Sequence, residues 1–520
     1  MSRLSATHKD TFDLAVIGGG IIGCGIARDA AMRGLHVALF ERRDFGSGTT
    51  SASTRIVHGG LRYLEMLDLR LVRLDLRERE TLLRIAPHLV RPLEFLIPFY
   101  DNDRTSALKL RAGLALYDAL SFDKSLPSRR WLPAAAAQAI DPALRRADVR
   151  GAAAYYDARV DSPERLALEN ALDAEAHGAR IFNYCDVLRA TPRLRVRDTL
   201  DGTESEINAR IIVNATGAWM EPTTERLTGR RPGRIRTTKG IHIVVPALTN
   251  HALVLYSRID GRLLFAIPRG GHTWIGTTDT DYAGDPTDAR ATAGDVQYLV
   301  DSLRRAFPKL EPGDVLFTTA GVRALVRRAG RESSVSRMHK VVEGEPVAPP
   351  GVISVLGGKI TGYRAIAEEV TDAVCRRLGA GDRSAATADI TLPGARDSGN
   401  PARSTVGPHD HLYDLYGTRA TDVLAVAQSS PELATPLSPK YRDIAAQVVF
   451  AVRFEHCVKL SDFLRRRTLL GTTKDQGWDA AAAVSALMAK ELGWSRSQMD
   501  EELLAYRADI ARTLSFRDKS

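Results

Sequence analysis

The sequence predicts an α/β fold in which a parallel sheet carries an inserted antiparallel sheet and is followed by a C-terminal helical domain. Near the N-terminus, two short apolar runs flank a helical pattern, as in a strand–helix–strand unit. In the middle, apolar runs are separated by Asp260-Gly261 and Gly270-Gly271, which are turn signals between antiparallel strands. Beyond the Pro/Gly/Ser-rich passage from Leu392 to Pro408, which we interpret as a linker, the pattern is helical.

The N-terminal unit is the most regular of these segments. Its first apolar run, Asp13 to Ile17, ends in glycines, and its second, His36 to Phe40, leads to Glu41. Between them, one helical face collects Ile21, Ile22, Ile26 and Ala30, and Gly34 closes the helix. Because units of this kind build parallel sheets, we expect the chain to begin with one.

Other elements are predicted along the chain. Charges and leucines alternate with helical spacing from Tyr63 to Leu83, which predicts an amphipathic helix. Between Arg91 and Pro133 prolines interrupt the pattern, which indicates an excursion from the first domain. Arg210 to Val213 and Val352 to Leu356 are expected to be further strands.

Composition excludes several classes of protein. The 520 residues carry a net charge of +9, which favours an anionic partner but does not distinguish nucleic acid, lipid and phosphorylated metabolite. A nucleic-acid-binding protein is disfavoured, because aromatic residues make up only 6% of the chain and no base-reading helix is recognisable. The four cysteines form no CxxC pair, which argues against a zinc cage or a disulfide framework. We see no signal peptide and no spanning segment, so we expect a cytoplasmic protein that can still lie peripherally on a membrane.

A glycine pattern after the first strand indicates a dinucleotide site. Gly18 to Gly23 fits G-x-G-x-x-G, in which Gly18 permits the tight turn, Gly20 admits the pyrophosphate and Gly23 lets helix pack on strand. Glu41 stands where an acid accepts hydrogen bonds from the adenosine ribose. This predicts an ADP-containing cofactor, and the motif alone does not separate FAD from NAD.

Two further segments suit such a cofactor. Thr49 to Ser53 is a run of small, mostly hydroxyl residues that can bind phosphate or a sugar chain, although a plain polar loop has the same composition. Gly357 to Thr361 is a second glycine turn that leads into a helix.

Several segments together resemble the FAD-dependent glycerol-3-phosphate dehydrogenases. In chain order they are Ile17–Gly34, Ser53–Glu65, Ile275–Asp281, Ala320–Leu325, Gly357–Ala367, Val452–His456 and Leu460–Leu464. The likeness extends over nearly the whole chain in the family's order. It implies an FAD-binding, Rossmann-like domain of the glutathione-reductase/amino-acid-oxidase type with an inserted antiparallel-sheet substrate (cap) domain and a C-terminal α-helical domain.

The resemblance also implies domain limits. The oxidoreductase region is expected at 1–395 and the helical domain at 396–520. Within the first, the FAD-binding parts are placed at about 1–85, 150–230 and 340–390, and the cap parts at about 86–149 and 231–339.

Site roles follow from the same resemblance. It implies that Arg62, Tyr63, Arg337 and Lys359 face the phosphate and hydroxyl end of the substrate, and that Arg323 lies near the reacting oxygen. His58 and His242 are the candidate proton acceptors, because neutral imidazole has a pKa of about 6.5, and the choice between them is open. No metal is expected. The predicted FAD contacts are Gly18, Gly19, Gly20, Gly23, Glu41, Thr50, Ser51, Ser53, Gly217, Gly358 and Thr361.

The implied reaction is the oxidation of sn-glycerol 3-phosphate to dihydroxyacetone phosphate, with hydride leaving C2 toward FAD and electrons passing to ubiquinone or menaquinone. One alternative is a glycerol-3-phosphate oxidase that uses O2 and makes hydrogen peroxide, and no residue separates the two. A second alternative is an amine or amino-acid oxidase, but the basic site residues favour a phosphate over a zwitterion. A homodimer is also left open.

A quinone-linked enzyme without a spanning helix has to dock on the lipid surface. The segment from Leu93 to Leu120 is the predicted docking element, because basic residues alternate there with apolar ones. The competing interpretation is an ordinary helix packed on the domain. The residues concerned are Arg104, Lys109, Arg111, Leu108, Leu110, Leu114, Leu116 and Tyr117.

Overall fold

The computed structural model describes residues 3–4, 10–101, 107–146, 148–190, 193–327, 338–344, 351–381, 383–396 and 409–518. The described strands are β1 (Thr11–Ile17), β2 (Val37–Phe40), β3 (Ile56–Val57), β4 (Val90–Tyr100), β5 (Arg130–Pro133), β6 (Val149–Val160), β7 (Arg180–Phe182), β8 (Cys185–Arg189), β9 (Leu194–Asp198), β10 (Glu204–Asn214), β11 (Ile235–Pro246), β12 (Ala252–Tyr256), β13 (Leu263–Arg269), β14 (His272–Gly276), β15 (Thr280–Asp281), β16 (Phe317–Val326), β17 (Lys340–Glu343) and β18 (Val352–Leu356).

The described α-helices are α1 (Ile21–Met32), α2 (Leu61–Glu65), α3 (Leu69–Ile85), α4 (Ala107–Leu120), α5 (Ala134–Ile140), α6 (Pro163–Ala176), α7 (Met220–Thr228), α8 (Ala293–Ser302), α9 (Tyr363–Leu378), α10 (Asp410–Tyr416), α11 (Ala420–Gln428), α12 (Ala445–Phe454), α13 (Leu460–Asp462), α14 (Trp478–Leu492) and α15 (Arg496–Thr513). None of them is both long and apolar enough to cross a membrane.

The first sheet carries the predicted strand–helix–strand unit. Its order is β17-β18-β10-β1-β2-β7, and every pairing along this path is parallel except that of β17 with β18. Ile17 lies in register with both Phe40 and Asn214, so three parallel strands end at one edge. Helices α1, α6 and α9 cover this sheet and bury a continuous apolar core against it. The functional loops therefore converge where these strands end.

The second sheet has ten strands and is mostly antiparallel, with the order β15-β11-β14-β13-β12-β4-β6-β3 and with β16 and β5 paired to β11 and β6. The turns predicted at Asp260-Gly261 and Gly270-Gly271 connect β12 to β13 and β13 to β14. β6 belongs to this sheet although the sequence division placed residues from 150 onward with the FAD parts. One face packs on α8 and the other on α2, α3 and α4.

The C-terminal helices form two apolar clusters of their own. Buried ion pairs join them to the first domain: Arg467 binds Asp44, with 0% of either side chain exposed, and Glu455 binds Arg165 on α6. Such pairs hold the two parts in one arrangement, because removing a single partner leaves a buried charge. The predicted architecture, an α/β domain with an inserted antiparallel sheet and a helical C-terminal domain, is confirmed.

One local prediction was wrong. The single helix expected from Tyr63 to Leu83 is two helices, α2 and α3, because Leu67 adopts a left-handed φ of 56° and Asp68 caps α3 by accepting a hydrogen bond from Leu71 N.

The segment from Arg91 to Pro133 leaves the first domain as predicted, since β4 and β5 belong to the second sheet, but it is more regular than its prolines suggest. It supplies β4, α4 and β5, and β4 is a long strand despite Pro92 and Pro98. Its second neighbour, β12, pairs only with Phe95 and Leu96, so both prolines lie where one side of the strand is unpaired.

Candidate active site

A cavity of about 550 Å³ lies between the two sheets. One end is lined by the residues that follow β1, β2 and β10. The other is lined by β11, β16, the segment from Ser53 to Tyr63 and the turn that follows β18. The cavity thus runs from the glycine fingerprint to the predicted catalytic residues. This arrangement suits an elongated cofactor with a small substrate at its far end.

The fingerprint glycines are required by the backbone. Gly18 has a φ of 104°, and a Cβ there would lie 2.8 Å from the Ala215 carbonyl oxygen. A Cβ on Gly23 would lie 1.8 Å from the Gly18 carbonyl oxygen, so the start of α1 can approach the turn only with glycine there. Gly20 has free space toward the cavity, since a Cβ there would meet only Thr50 Oγ1, at 3.5 Å. The start of α1 is therefore open to the approach of a phosphate.

Glu41 is positioned by backbone amides at the end of β2. Its carboxylate accepts from Gly19 N at 2.7 Å and from Arg43 N at 2.9 Å. Burial raises the pKa of Glu41, while these amides and the charge of Arg43 lower it. Both oxygens keep further lone pairs, so they can accept from ribose hydroxyls. Gly19 contributes its amide to this arrangement.

The side chains of the hydroxyl-rich run Thr49–Ser53 lie on two sides of their loop. Thr50 and Ser53 line the cavity, and Thr50 Oγ1 also accepts from Ile21 N at 3.1 Å. Ser51 points elsewhere, because its hydroxyl donates to the Ser47 and Gly48 carbonyl oxygens at 3.1 and 2.9 Å and lines a different cavity. In the described contacts Ser51 holds the loop, and its role as a cofactor contact stays a prediction.

The remaining predicted cofactor contacts meet at the same cavity. Gly217 and Gly358 both adopt a left-handed φ, and a Cβ on Gly358 would lie 2.7 Å from Ile22 Cδ1. Thr361 Oγ1 accepts from His58 N at 3.1 Å and donates to the His58 carbonyl oxygen at 3.3 Å. This pair of contacts ties the second glycine turn to the segment that carries His58.

Arg323 is held at the far end of the cavity by three acceptors. Nη1 donates to the Thr278 carbonyl oxygen and to Asp279 Oδ1, both at 3.1 Å, and Nη2 donates to Thr277 Oγ1 at 2.8 Å. The guanidinium lies against Gly240, where a Cβ would be only 2.3 Å from Nη2. A glycine on the neighbouring strand is thus what admits the arginine.

His242 lies on β11 between two hydroxyl groups. Its Nε2 is 3.0 Å from Thr54 Oγ1, and its Nδ1 is 3.4 Å from Thr319 Oγ1. The register of β11 and β14 places Gly276 opposite, where a Cβ would lie 2.3 Å from the imidazole. Burial, together with the positive charges of Arg323 and Arg55, lowers the pKa of His242 to about 3. The ring is therefore neutral at pH 7 and has a nitrogen that can accept a proton.

Lys359 is partly buried beside Tyr63 and pairs with an acid that the sequence did not single out. Its Nζ lies 4.3 Å from the centre of the Tyr63 ring and forms an ion pair with Asp75 of α3. Burial raises the pKa of Asp75 to about 6, although the charge of Lys359 opposes the shift. Lys359 thus has a negative partner that competes with any substrate anion.

The structure describes the other predicted site residues to different extents. His58 lines the cavity, with its ring edge against Phe265 at a centroid distance of 6.2 Å. Arg62 lies on α2, and its side chain is outside the described part of the structure, as is all of Arg337. Within the described part there is no cluster of three or more His, Cys, Asp or Glu residues that could hold a metal ion.

Sequence reasoning missed the residues that position the catalytic candidates. Thr54, Asp279 and Asp75 each contact one of them across more than 40 positions of sequence. The single available signal was local: Thr54 lies in the segment Ser53–Glu65, and Asp279 in Ile275–Asp281, both already singled out. Asp75 gave no signal, because an acid on an amphipathic helix is ordinarily solvated.

Comparisons with known proteins agree with this geometry. Residues 13–373 match the family described as FAD dependent oxidoreductase, and residues 385–499 match the C-terminal domain of alpha-glycerophosphate oxidase. A glycerol-3-phosphate dehydrogenase from Synechocystis sp. is 39% identical, with 97% of both chains covered. Glycerol-3-phosphate dehydrogenase 2 from Mycobacterium tuberculosis is 35% identical over 96% of this chain and 88% of its own.

A solved structure has the same architecture. The glycerol-3-phosphate dehydrogenase from Bacillus halodurans, complexed with FAD, superposes with a TM-score of 0.80 and 28% identity, covering 99% of this chain and 98% of its own. The cradle described above fits this cofactor, since the turn at Gly18, the open amides near Gly20 and the Glu41 carboxylate suit its ADP half. The chain belongs to the family of FAD-dependent glycerol-3-phosphate dehydrogenases.

Proposed function

We propose that this protein oxidises sn-glycerol 3-phosphate at C2 to dihydroxyacetone phosphate. The observation that carries the proposal is that Arg323, His242, Tyr63 and Lys359 line one cavity whose other end is the dinucleotide cradle. We infer the substrate from the names of the relatives. The cations at this end of the cavity suit the phosphate group of that substrate. FAD, when bound, supplies the redox chemistry by accepting a hydride equivalent.

The phosphate anchor is proposed to be Lys359 with Tyr63, joined by Arg62 and Arg337. A phosphate dianion that enters near Lys359 replaces one carboxylate, Asp75, with a group of higher charge. The Tyr63 ring beside Lys359 Nζ keeps water away from this cation, which strengthens its attraction to an anion.

His242 is the proposed proton acceptor. Its pKa of about 3 in the substrate-free protein reflects burial and the charges of Arg323 and Arg55. A bound phosphate dianion adds negative charge to the same cavity, which raises the pKa of the imidazole and makes it a stronger base when substrate is present. Arg323, held by Asp279, stabilises the negative charge that develops on the C2 oxygen. His58 lines the same cavity and is the alternative acceptor.

Flavin reduction tests the substrate. Purified FAD-loaded protein without oxygen should lose its flavin absorbance band when sn-glycerol 3-phosphate is added, and glycine or sarcosine should have no effect. Lys359→Ala should weaken the binding of glycerol 3-phosphate by about 1.5–3 kcal/mol, the free energy of one charged hydrogen bond. Its KM should rise accordingly. Free glycerol, which has no phosphate, should be a poor substrate of the parent enzyme. The substitution should lower its oxidation much less than that of glycerol 3-phosphate. Equal losses for both substrates would contradict the phosphate role.

The choice of base has its own test. His242→Asn should lower kcat by about 10²-fold, as expected for loss of a general base, and His58→Asn should lower it much less. Flavin content serves as the control for each variant. A larger loss from His58→Asn would transfer the role to His58.

For the electron acceptor we propose a membrane quinone. An oxygen-linked oxidase is the second candidate, because residues 385–499 match a domain named after alpha-glycerophosphate oxidase. After anaerobic reduction, the flavin should be reoxidised faster by a water-soluble ubiquinone or menaquinone analogue than by air-saturated buffer. Fast reoxidation by oxygen with formation of hydrogen peroxide would establish the oxidase instead.

We further propose that an anionic lipid surface docks at α4 and the ends of the neighbouring helices. Leu110, Leu114 and Tyr117 of α4 are buried in the protein, so only part of the apolar set predicted from sequence faces outward. The outward edge carries Leu108 with Lys109 and Arg111, and Arg104 lies outside the described residues.

Two other exposed apolar side chains lie nearby. Leu67 follows α2, which packs on α4, and Phe122 follows α4. The Phe122 ring lies 4.5 Å from the guanidinium of Arg73 on α3. Leu67, Leu108 and Phe122 are 78%, 76% and 79% exposed. Apolar groups surrounded by arginine and lysine match the chemistry of an interfacial membrane site.

Vesicle sedimentation tests this surface. The parent protein should pellet with anionic vesicles and be released by high salt, whereas Lys109→Glu with Arg111→Glu should stay in the supernatant and still reduce a water-soluble dye. Arg376→Glu with Arg496→Glu, which makes the same charge change at exposed positions elsewhere, is the control and should pellet. If the first pair pellets as well as the parent, the surface lies elsewhere.

A further inference from the structure

A second cavity, of about 400 Å³, lies on the opposite side of the loop that holds the cofactor. Its walls are the loop 47–52, the β16 residues 317–322, the segment 286–291, and the C-terminal residues 459–476 and 509–513. We call it the junction cavity, because it lies where the first sheet's loop, the second sheet and the C-terminal domain meet. Its volume is within the range of roughly 300–1,000 Å³ that small-molecule sites occupy.

The junction cavity has a large excess of positive charge. Its acids are Glu164 and Asp509, and its cations are Arg43, Arg55, Arg290, Lys459, Arg465, Arg466 and Arg512. Arg55, Lys459 and Arg466 are paired with carboxylates.

Of the other four arginines, Arg290, Arg465 and Arg512 form no ion pair with an acid among the described residues, whereas Arg43 interacts with the charge of Glu41. Arg290 and Arg512 donate to backbone carbonyl oxygens, and Arg465 donates to Gln476 Oε1. Arg43 packs over the Trp219 ring at 5.6 Å. Several uncompensated guanidinium groups around one concave space raise the local concentration of anions.

Buried donors in the same walls lack acceptors. Four donor atoms are buried and have no hydrogen-bond partner among the described residues: Nε of Arg43, Arg55 and Arg465, and Nε1 of Trp274. Arg55 and Trp274 are only 8% and 6% exposed. A buried donor without an acceptor is unfavourable, so a ligand that brings several acceptor oxygens would satisfy these groups.

We propose that the junction cavity binds a small multivalent phosphate anion at a site separate from those of FAD and substrate. Arginine is suited to phosphate oxygens because its planar fork donates two parallel hydrogen bonds, and several unpaired arginines call for a ligand with more than one negative charge. Ala52 and Gly321 line both cavities, so the bound anion lies behind the wall of the cofactor site.

Calorimetric titration of the FAD-loaded full chain with inorganic pyrophosphate, at constant ionic strength, tests the site. The parent should bind pyrophosphate saturably, and Arg290→Gln with Arg465→Gln should bind it about tenfold more weakly for each lost charged hydrogen bond. Because Arg465 packs over Tyr506, a second pair, Arg290→Gln with Arg512→Gln at the exposed mouth, decides the result if the first does not fold. Both pairs should oxidise glycerol 3-phosphate normally when pyrophosphate is absent.

Two controls separate this site from others. Arg376→Gln with Arg496→Gln removes the same charge elsewhere and should bind pyrophosphate like the parent, as should Lys359→Ala in the substrate end of the first cavity. The proposal is overturned by absence of saturable binding in the parent, by parent-like binding in the folded junction variants, or by loss of binding in Lys359→Ala. Tighter binding of citrate than of pyrophosphate would overturn the assignment to phosphate.

Discussion

Replacing Gly240 with alanine tests whether Arg323 acts from the position described. The new Cβ would lie 2.3 Å from Nη2 and 2.6 Å from both Cζ and Nη1 of Arg323, which no real contact allows. The guanidinium, as the far end of a flexible side chain, would move away and give up its hydrogen bonds to Thr277, Thr278 and Asp279. Unfolding free energy should fall by about 1.5–3 kcal/mol, because buried Asp279 loses a charged hydrogen-bond partner.

The rate of substrate oxidation should fall as well. Losing a preorganised donor to a developing oxyanion lowers the rate by about 10²–10³-fold, or about 2.7–4 kcal/mol. We therefore expect kcat/KM for glycerol 3-phosphate, measured with a water-soluble dye, to fall by that factor in Gly240→Ala, with flavin content unchanged. Gly313→Ala is the matched control, since a Cβ there has nothing within 4 Å, and it should behave like the parent. Parent-like kcat/KM in Gly240→Ala would refute the role given to Arg323.

Three further predictions follow from the same geometry. Gly20→Val should yield folded but colourless protein, because its bulk enters the cofactor cavity, whereas Gly20→Ala should keep its flavin; full flavin binding by the valine variant would contradict the cradle. As pH falls through about 6, Asp75 becomes neutral and ceases to compete for Lys359. The ratio of the parent's KM to that of Asp75→Asn should therefore fall toward one. A constant ratio from pH 5 to 8 would contradict this. His88 and the nearby arginines Arg165 and Arg419 lower the pKa of Glu169 to about 2, so its stabilisation is full above the unfolded pKa of about 4.3 and is lost as pH falls through about 2. Glu169→Gln should therefore lower the unfolding free energy by about 3 kcal/mol at pH 7, as measured by denaturant titration, and by progressively less below pH 4. An equal loss at pH 7 and pH 3 would show that the charge of Glu169 is not the cause.

The local elements were predictable where the sequence pattern is short-ranged. The strand, glycine turn, helix and strand up to Glu41 agree with β1, α1 and β2 to within about two residues, as expected for a strongly periodic segment. The prolines of β4 misled the interpretation, because their tolerance depends on which neighbours pair with the strand. The break between α2 and α3 was equally hidden, since a left-handed residue such as Leu67 has no signature in its side chain.

By itself, the sequence determined the dinucleotide cradle, the family and the short list of candidate catalytic residues, because the glycines, Glu41 and the motif segments act through their immediate neighbours in the chain. Only the tertiary structure decided how those candidates are held and charged. Asp75 meets Lys359 and Thr54 meets His242 because separate strands and helices pack together, and the glycines at 240 and 276 matter because of what lies opposite them across a sheet. Burial and charge at a site are sums over residues distant in sequence, so a pKa such as that of His242 follows only from the folded arrangement.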